Sequence, residues 1–510
     1  MIHHLLNALG LLVFSFFGSA HAVPRTSEWR LAEQKAENTV VQVLAHKAHF
    51  NWREPYKAPK QKESSGTAFF IDDKGYLLTN FHVVDGAKTL KLYIPALGQT
   101  TLDAGVVGVC PEADVALLKI GPKDLSSIKA AFKKVPFLKL GDADLLYPTE
   151  PVLALGYPLG TRVLKSTVGV LAGLREPLDA VFCMHITAPI NPGNSGGPLV
   201  NREGDAVGIN SAGIPGAQSI GYTIPINDIS ILLPDLHSIP LVRKPHMGVS
   251  VNQTTEEHAR ALGNPLPAGV YINAVNKNSL AEQLGVKPGD MLYGVNGYAV
   301  DSYGDISVMT HGSFKVSLHE YFVRLPSKVP LKLEIYRNGQ KKILQGHHTV
   351  VTPPPLRYIY ADYEPEEIDY EILGGACFMQ LRHNHLNLFK DDPSLQRYRL
   401  HSAASKEALI ITKLLPGSLL HKLECLYEGI LLDEVNGKKV KTLAQLRAAL
   451  HENATTGLIS LKMKNNAVTV VSVEDVLTDE MRIAKDFMVA STEGMNILRK
   501  SQVAVKKRNK

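Results

Sequence analysis

Asn191-Pro192-Gly193-Asn194-Ser195-Gly196-Gly197-Pro198-Leu199-Val200 is the stretch on which the reading of the chain turns. A lone serine in a loop carries no chemistry by itself. Here Gly193, Gly196 and Gly197 permit a tight backbone path that presents the Ser195 hydroxyl and turns N–H groups inward. Such N–H groups suit an oxyanion hole, because negative charge develops on a carbonyl oxygen during acyl transfer. A hydroxyl is a weak nucleophile; it needs a general base, itself oriented by a third group.

Two upstream segments supply both. Leu77-Leu78-Thr79-Asn80-Phe81-His82-Val83-Val84-Asp85-Gly86 puts a histidine at the end of a strand, and Cys110-Pro111-Glu112-Ala113-Asp114-Val115 puts an aspartate at the start of one. Taken singly, His82 reads as a core histidine and Asp114 as a turn residue. Taken with Ser195, in the order His, Asp, Ser inside one β-rich region, they read as a catalytic set. Short apolar runs such as Ala68-Phe69-Phe70-Ile71 and Val115-Ala116-Leu117-Leu118, separated by turns, predict an all-β sandwich or barrel up to about Ile226. A helix is expected over Ser27–Val43, a closing helix over Asn227–Leu236, and a linker over Pro240–Pro245.

The second half is duplicated. Val270-Tyr271-Ile272 through Pro288-Gly289-Asp290 to Val295-Asn296-Gly297 matches Leu409-Ile410-Ile411 through Gly429 to Val435-Asn436-Gly437. The copies lie too far apart for a solenoid and read as two domains. Between them, Pro353-Pro354-Pro355 and the acidic residues Asp362, Glu364, Glu366, Glu367, Asp369 and Glu371 read as a linker with a solvated face. A length of 510 residues agrees with three domains.

Four cysteines in that length exclude a disulfide scaffold. They read as buried free thiols, with a Cys110–Cys183 bridge left open. Nothing in their spacing suits a metal, and no cofactor is expected. Residues 1–22 lack charge, carry an apolar run from Leu5 to Gly18, and end in Ala20-His21-Ala22, the pattern of a secretory signal peptide. No stretch is long enough to span a membrane. The net charge of +6 resides in Arg499, Lys500, Lys506, Lys507, Arg508 and Lys510, so the body is neutral and nucleic acid is not an expected partner. That tail is expected to dock on the acidic linker.

The motifs together resemble the HtrA/Deg family of trypsin-fold serine endopeptidases. The matching residues are Thr79-Asn80-Phe81-His82-Val83-Val84, Asp114-Val115-Ala116-Leu117-Leu118-Lys119 and Asn191 to Leu199. Gly156-Tyr157-Pro158-Leu159-Gly160, before Ser166-Thr167-Val168-Gly169-Val170, is similar to the family's activation-loop region. Phe50-Asn51-Trp52 through Gln61-Lys62-Glu63-Ser64, Thr310-His311-Gly312 and Asp369 to Gly375 resemble the plant-type branch. Thr187-Ala188-Pro189-Ile190 and Ser65-Gly66-Thr67 depart from the family's usual residues.

The resemblance implies a mainly β fold, a chymotrypsin/trypsin-like double β-barrel followed by two PDZ-like α+β domains. The boundaries are a signal peptide 1–22, a protease domain 23–240, a first PDZ domain 246–350, a linker 351–368, a second PDZ domain 369–480 and a C-terminal extension 481–510. It implies ATP-independent degradation of unfolded or damaged proteins. His82, Asp114 and Ser195 would be catalytic, with an oxyanion hole at Gly193 and Ser195. Pro189 stands where trypsin carries its pocket aspartate. Ile190, Ala212 and Ile214 are the expected pocket lining, favouring cleavage after small or medium aliphatic residues. Met247-Gly248-Val249 would take a peptide C-terminus by strand addition, while the second copy is assigned to oligomer contacts. The expected partners are unfolded polypeptides and C-terminal peptides, with a homotrimer or a multiple of trimers as the assembly. Phe50, Trp52 and Tyr56 read equally as trimer contacts or core. The expected location is outside the cytosol: periplasm foremost, then secretion or an organelle lumen.

Two rival readings differ in class. Gly193-Asn194-Ser195-Gly196-Gly197 also fits the G-x-S-x-G elbow of α/β-hydrolases, but that elbow leads into a helix, and Pro198-Leu199-Val200 begins a strand. A non-proteolytic chaperone or PDZ adaptor with an idle protease domain is the other, and the intact triad argues against it.

Overall fold

A computed structural model of the chain describes residues 29–178, 181–213, 219–309, 313–351, 353–365, 368–400, 403, 406–453 and 457–508. The expected signal peptide, Ile214 and Thr310-His311-Gly312 lie outside the described residues.

The first barrel closes from β1 (Val40–His49), β2 (Lys60–Phe70), β3 (Tyr76–Thr79), β4 (Ala87–Tyr93), β5 (Thr101–Cys110) and β6 (Val115–Ile120), ordered β1-β2-β3-β6-β5-β4. The second closes from β7 (Pro151–Gly156), β8 (Lys165–Leu178), β9 (Val181–Ile186), β10 (Pro198–Val200), β11 (Ala206–Gly213) and β12 (Gly221–Pro225), ordered β10-β11-β12-β9-β8-β7. The strand period of two explains how one run serves two cores. Val41, Val43 and Ala45 fill the first barrel, whereas Val40 joins Phe69, Leu78 and Leu117 in the cluster it shares with the second. Each of these Val, Leu and Phe side chains, fully buried, contributes about 1.5–3 kcal/mol. Tyr157 ties the barrels together: its ring is fully buried, and its hydroxyl donates to the Val40 carbonyl at 3.1 Å.

The helix expected over Ser27–Val43 is confined to Arg30–Ala36. From Val40 the chain is strand, because β-branched residues at 39–41 and 43 lose less freedom on a pleated surface than in a helix. The closing helix over Asn227–Leu236 is two short ones, Ile226–Ser230 and Leu233–Leu236. Cys110, Cys183, Cys377 and Cys425 are all free, so the bridge left open between Cys110 and Cys183 is absent; the expectation of four buried thiols fails at Cys425, which is exposed. Burial in apolar surroundings pushes both of those thiols up to about 12.

The duplicated units are each a sheet with helices. In the first, the strands Val249–Asn252, Val270–Val275, Met291–Val295, Pro330–Arg337 and Gln340–His347 follow one another across the sheet, with Val249–Asn252 at its edge. In the second, the corresponding edge strand Ala376–Gln380 is covered. Tyr370–Leu373 pairs with it antiparallel from Tyr370↔Met379 to Leu373↔Ala376. Arg447 of the helix Leu443–Asn453 reaches Glu371 at 2.6 Å, and the Gly494 N–H donates to both Glu371 oxygens at 3.0 Å.

Two expectations about the surface are corrected. The acidic segment is only in part a solvated face: Asp362 and Asp369 are exposed, but Glu371 is buried, Tyr360 and Tyr363 pack on the first-barrel core, and Glu366 and Glu367 lie outside the described residues. The basic tail does not dock Arg499 there, and the side chains of Lys506, Lys507 and Arg508, with Lys510, lie outside the described residues. Its helix Glu493–Arg508 starts on Glu371, buries Met495 and Leu498 in the second sheet's core, and pairs Arg499 with Glu480 at 2.8 Å. The boundary expected at 480 falls inside the helix Val473–Phe487. Phe50, Trp52 and Tyr56, on the β1–β2 loop, pack against the second duplicated unit of the same chain.

Candidate active site

The nucleophile loop leaves β9 and returns through β10, and its shape depends on glycine at two positions. Gly193 and Gly196 have φ of +102° and +87°, values that L side chains rarely adopt. A Cβ on Gly196 would also run into the Thr67 carbonyl. Thr67 of β2 holds this loop to the first barrel: its N–H donates to the Ser195 carbonyl at 2.9 Å, and its hydroxyl donates to the Gly193 carbonyl at 2.7 Å. The Pro192 carbonyl accepts the Leu159 N–H at 2.7 Å. Among the described residues, the Gly193 and Ser195 N–H groups donate to no protein acceptor, the condition an incoming oxyanion requires.

His82 stands on the single-turn helix Phe81–Val84 that follows β3. Asp114 closes the 3₁₀ turn Pro111–Ala113 in the left-handed region, with φ 48°. That conformation is uncommon outside glycine but tolerated by aspartate. The carbonyl of Asp114 is fixed by Asn80 Nδ2 at 3.0 Å. Its carboxylate receives the His82 N–H at 3.0 Å and faces His82 Nδ1 at 3.0 and 2.9 Å. An aspartate on Nδ1 leaves Nε2 as the ring's working nitrogen.

The three predicted catalytic residues are thus brought to one cleft, with one link open. Ser195 Oγ donates to the Ser211 carbonyl at 2.8 Å, and among the described residues it makes no hydrogen bond to His82. Catalytic hydrogen bonds commonly tighten only in the complex with substrate.

Two residues at the site escaped the sequence reading. Ser211 of β11 donates its hydroxyl to Asp114 Oδ2 at 3.0 Å while its carbonyl accepts from Ser195, so it touches both ends of the set. Its signal was its place one residue before the expected pocket residue Ala212. Lys47 of β1 donates to the His82 carbonyl at 2.7 Å from a buried position. Burial lowers its pKa, and Asp85 partly offsets that. No local pattern marks it, because β1 is brought to His82 only by barrel closure.

The expected pocket residues are partly gathered. Ile190 is buried, and it lies so close to Gly213 and Gly221 that a Cβ on either glycine would run into it. Ala212 sits opposite Tyr222 in the β11–β12 pairing. Pro189 is exposed. Far from this cleft, Met247 is buried and Gly248 has φ +70°, where a Cβ would meet Ser279. The strand that follows, Val249–Asn252, is mostly exposed along its length. Among the described residues there is no His/Cys/Asp/Glu cluster able to hold a metal ion, and no helix is long and apolar enough to cross a membrane.

Comparison with known proteins agrees with this architecture. Residues 66–209 match the trypsin-like peptidase domain, and residues 271–318 and 360–495 each match a PDZ domain. The chain is 35% identical over 271 residues to the serine protease Do-like HtrB of Bacillus subtilis, a match covering 49% of this chain and 57% of that protein. It is 32% identical over 307 residues to a probable periplasmic serine endoprotease DegP-like of Marinomonas sp., covering 58% and 60%. The chain therefore spans less than two thirds of these relatives' own length. Among solved structures, the HtrA-type protease AlgW with tripeptide superposes with a TM-score of 0.50 at 26% identity, covering 64% of this chain and 98% of that one. The chain joins a trypsin-like peptidase domain to two PDZ domains and is a homologue of the HtrA/DegP-type serine proteases.

Proposed function

We propose that the protein is a serine endopeptidase that cleaves unfolded or damaged polypeptides without ATP, through an acyl-enzyme. The observation that carries this reading is the His82–Asp114 pair at 2.9 Å, facing a Ser195 loop whose Gly193 and Ser195 N–H groups are free to donate. Ser195 Oγ attacks the scissile carbonyl carbon as His82 Nε2 takes its proton. The carbonyl oxygen, now negative, is held by the N–H groups of Gly193 and Ser195. His82 returns the proton to the leaving amine, and water then releases the acyl group by the same route. Asp114 fixes the tautomer and stabilises the imidazolium, and Ser211 holds the Asp114 carboxylate in line.

Ile190 and Ala212, with Ile214 assigned beside them from the sequence alone, are the S1 residues of this reading and select small or medium aliphatic residues. Met247, Gly248 and Val249 receive a peptide C-terminus, which adds beside the open Val249–Asn252 edge. The AlgW structure with its tripeptide supports peptide binding as a property of this architecture. The second PDZ domain has its matching edge occupied by Tyr370–Leu373, which argues for a role in holding the molecule or its assembly together. Export to the periplasm, which relatives with periplasmic names support, completes the proposal together with chaperone activity and a homotrimer or multiple of trimers.

Casein digestion without ATP, with the new ends mapped by mass spectrometry, tests the reading. Cleavage after Val, Ala or Leu that disappears in Ser195→Ala is expected. Cleavage confined to sites after Lys or Arg would refute the pocket, and undiminished digestion by Ser195→Ala would refute the nucleophile.

A further inference from the structure

Both triad segments of the first barrel are backed by a part of the chain that lies some 250 residues further on. Phe81, next to His82, meets the Tyr360 ring edge-on, with centroids 5.4 Å apart at 86°. Tyr360 in turn lies under the Arg243 guanidinium, 5.5 Å from it. Arg243 pairs with Glu364 at 2.6 Å, donates to the Tyr358 carbonyl at 3.1 Å, and reaches Glu112 at 3.7 Å. Glu112 sits in the 3₁₀ turn that ends at Asp114, and its carboxylate accepts the Lys244 N–H at 2.7 Å. On the far side, Glu364 is joined by Arg357 at 3.3 Å and accepts the Tyr360 N–H at 3.4 Å. Arg243 and Glu364 are largely buried, at 14% and 13% side-chain exposure, so this pairing is screened far less than a surface one.

We propose that the segment Arg357–Glu364, locked by Arg243, is a clamp that positions His82 and Asp114, and that Arg243 and Tyr360 are positioning residues for catalysis. The proposal rests on the triad reading above. Its physical basis is that His82 and Asp114 lie on short elements with little rigidity of their own: one helical turn, and one 3₁₀ turn ending in a left-handed residue. Elements this short take their orientation from what packs behind them. Besides the barrel core and the Lys47 and Asn80 hydrogen bonds, that packing includes an aromatic contact at Phe81 and an ionic contact at Glu112, joined through a single arginine.

The test uses the full chain and two readouts, the kcat and KM for a fluorogenic peptide with Val before the cleaved bond, and the rate of labelling by a fluorophosphonate. Tyr360→Ala is expected to lower kcat and the labelling rate about 10- to 100-fold, the cost of a misplacement near 1 Å, with KM within about twofold of wild type. Tyr360→Phe keeps the ring and is expected to restore wild-type values. Arg243→Lys keeps the charge without the fork, and is expected to lower kcat by about 5- to 10-fold. Leu446→Ala, in the second PDZ core, is the control for destabilisation alone and is expected to leave kcat unchanged. Wild-type kcat in folded Tyr360→Ala, or an equal loss in Leu446→Ala, overturns the proposal; should Tyr360→Ala not fold, wild-type kcat in Arg243→Lys does the same. A wild-type protein that labels at Ser195 beside a Tyr360→Ala that labels equally fast sinks the clamp alone. A wild-type protein that does not label sinks the triad reading beneath it.

Discussion

Acid should loosen the contact between the β1–β2 loop and the second PDZ domain through one histidine. His385 is fully buried; its Nδ1 accepts the Arg382 N–H at 3.0 Å, and its Nε2 has no hydrogen-bond partner among the described residues. The Trp52 ring packs perpendicular to it at 5.3 Å. Burial, with Arg382 nearby, holds the imidazole neutral down to about 3. In the unfolded chain it takes a proton near 6.5. The unfolded state therefore binds the extra proton first. Stability from this residue is fully present above about pH 6.5 and is lost as the pH falls toward 3. At about pH 5 the linkage amounts to about 2 kcal/mol. His385→Asn preserves an acceptor for the Arg382 N–H and removes the titration. The assay is urea unfolding followed by Trp52 fluorescence in a Trp29→Phe background, since the chain has only two tryptophans. Between about pH 7.5 and 5, wild type should lose about 2 kcal/mol more than His385→Asn. Equal losses in the two proteins would refute the argument, because the carboxylates they share would then account for the whole pH dependence.

Other substitutions probe separate links. Ser211→Ala removes the hydroxyl that donates to Asp114, a bond to a charged group, so kcat should fall about 10-fold with KM little changed; steady-state kinetics on a peptide substrate checks this. Gly248→Ala places a Cβ against Ser279 at φ +70°, and should abolish binding of a C-terminal peptide while leaving hydrolysis of a short fluorogenic substrate intact, as read by calorimetry and by rate.

The site and its supports were legible to different degrees, for a physical reason. His82, Asp114 and Ser195 are each embedded in a local signature, because a strand end, a turn and a glycine-bracketed loop impose their residue types on the neighbouring sequence. The strands around them were equally readable from their apolar runs. Lys47 was not, since only closure of the barrel sets its ammonium on the His82 carbonyl. Tyr360 and Glu364 misled in the opposite direction. A Pro-rich, acidic stretch looks solvated, yet its Tyr360 and Glu364 are matched by Phe81 and Arg243, more than a hundred residues away. The aromatics Phe50, Trp52 and Tyr56, read equally as trimer contacts or core, are half-buried against the second duplicated unit, a surface that their own stretch of sequence could not name. In the same way, Cys110 and Cys183 were read as buried without their geometry being available.

The central claim is that Ser195 is a nucleophile activated by His82 and Asp114. Fluorophosphonate labelling followed by mass-spectrometric mapping of the adduct tests it most directly. A single adduct on Ser195 in the wild type is predicted, absent from Ser195→Ala and formed about 10⁴-fold more slowly in Asp114→Asn, the size of loss measured for the equivalent change in trypsin. An adduct on another residue, or labelling that persists in Ser195→Ala, would contradict it.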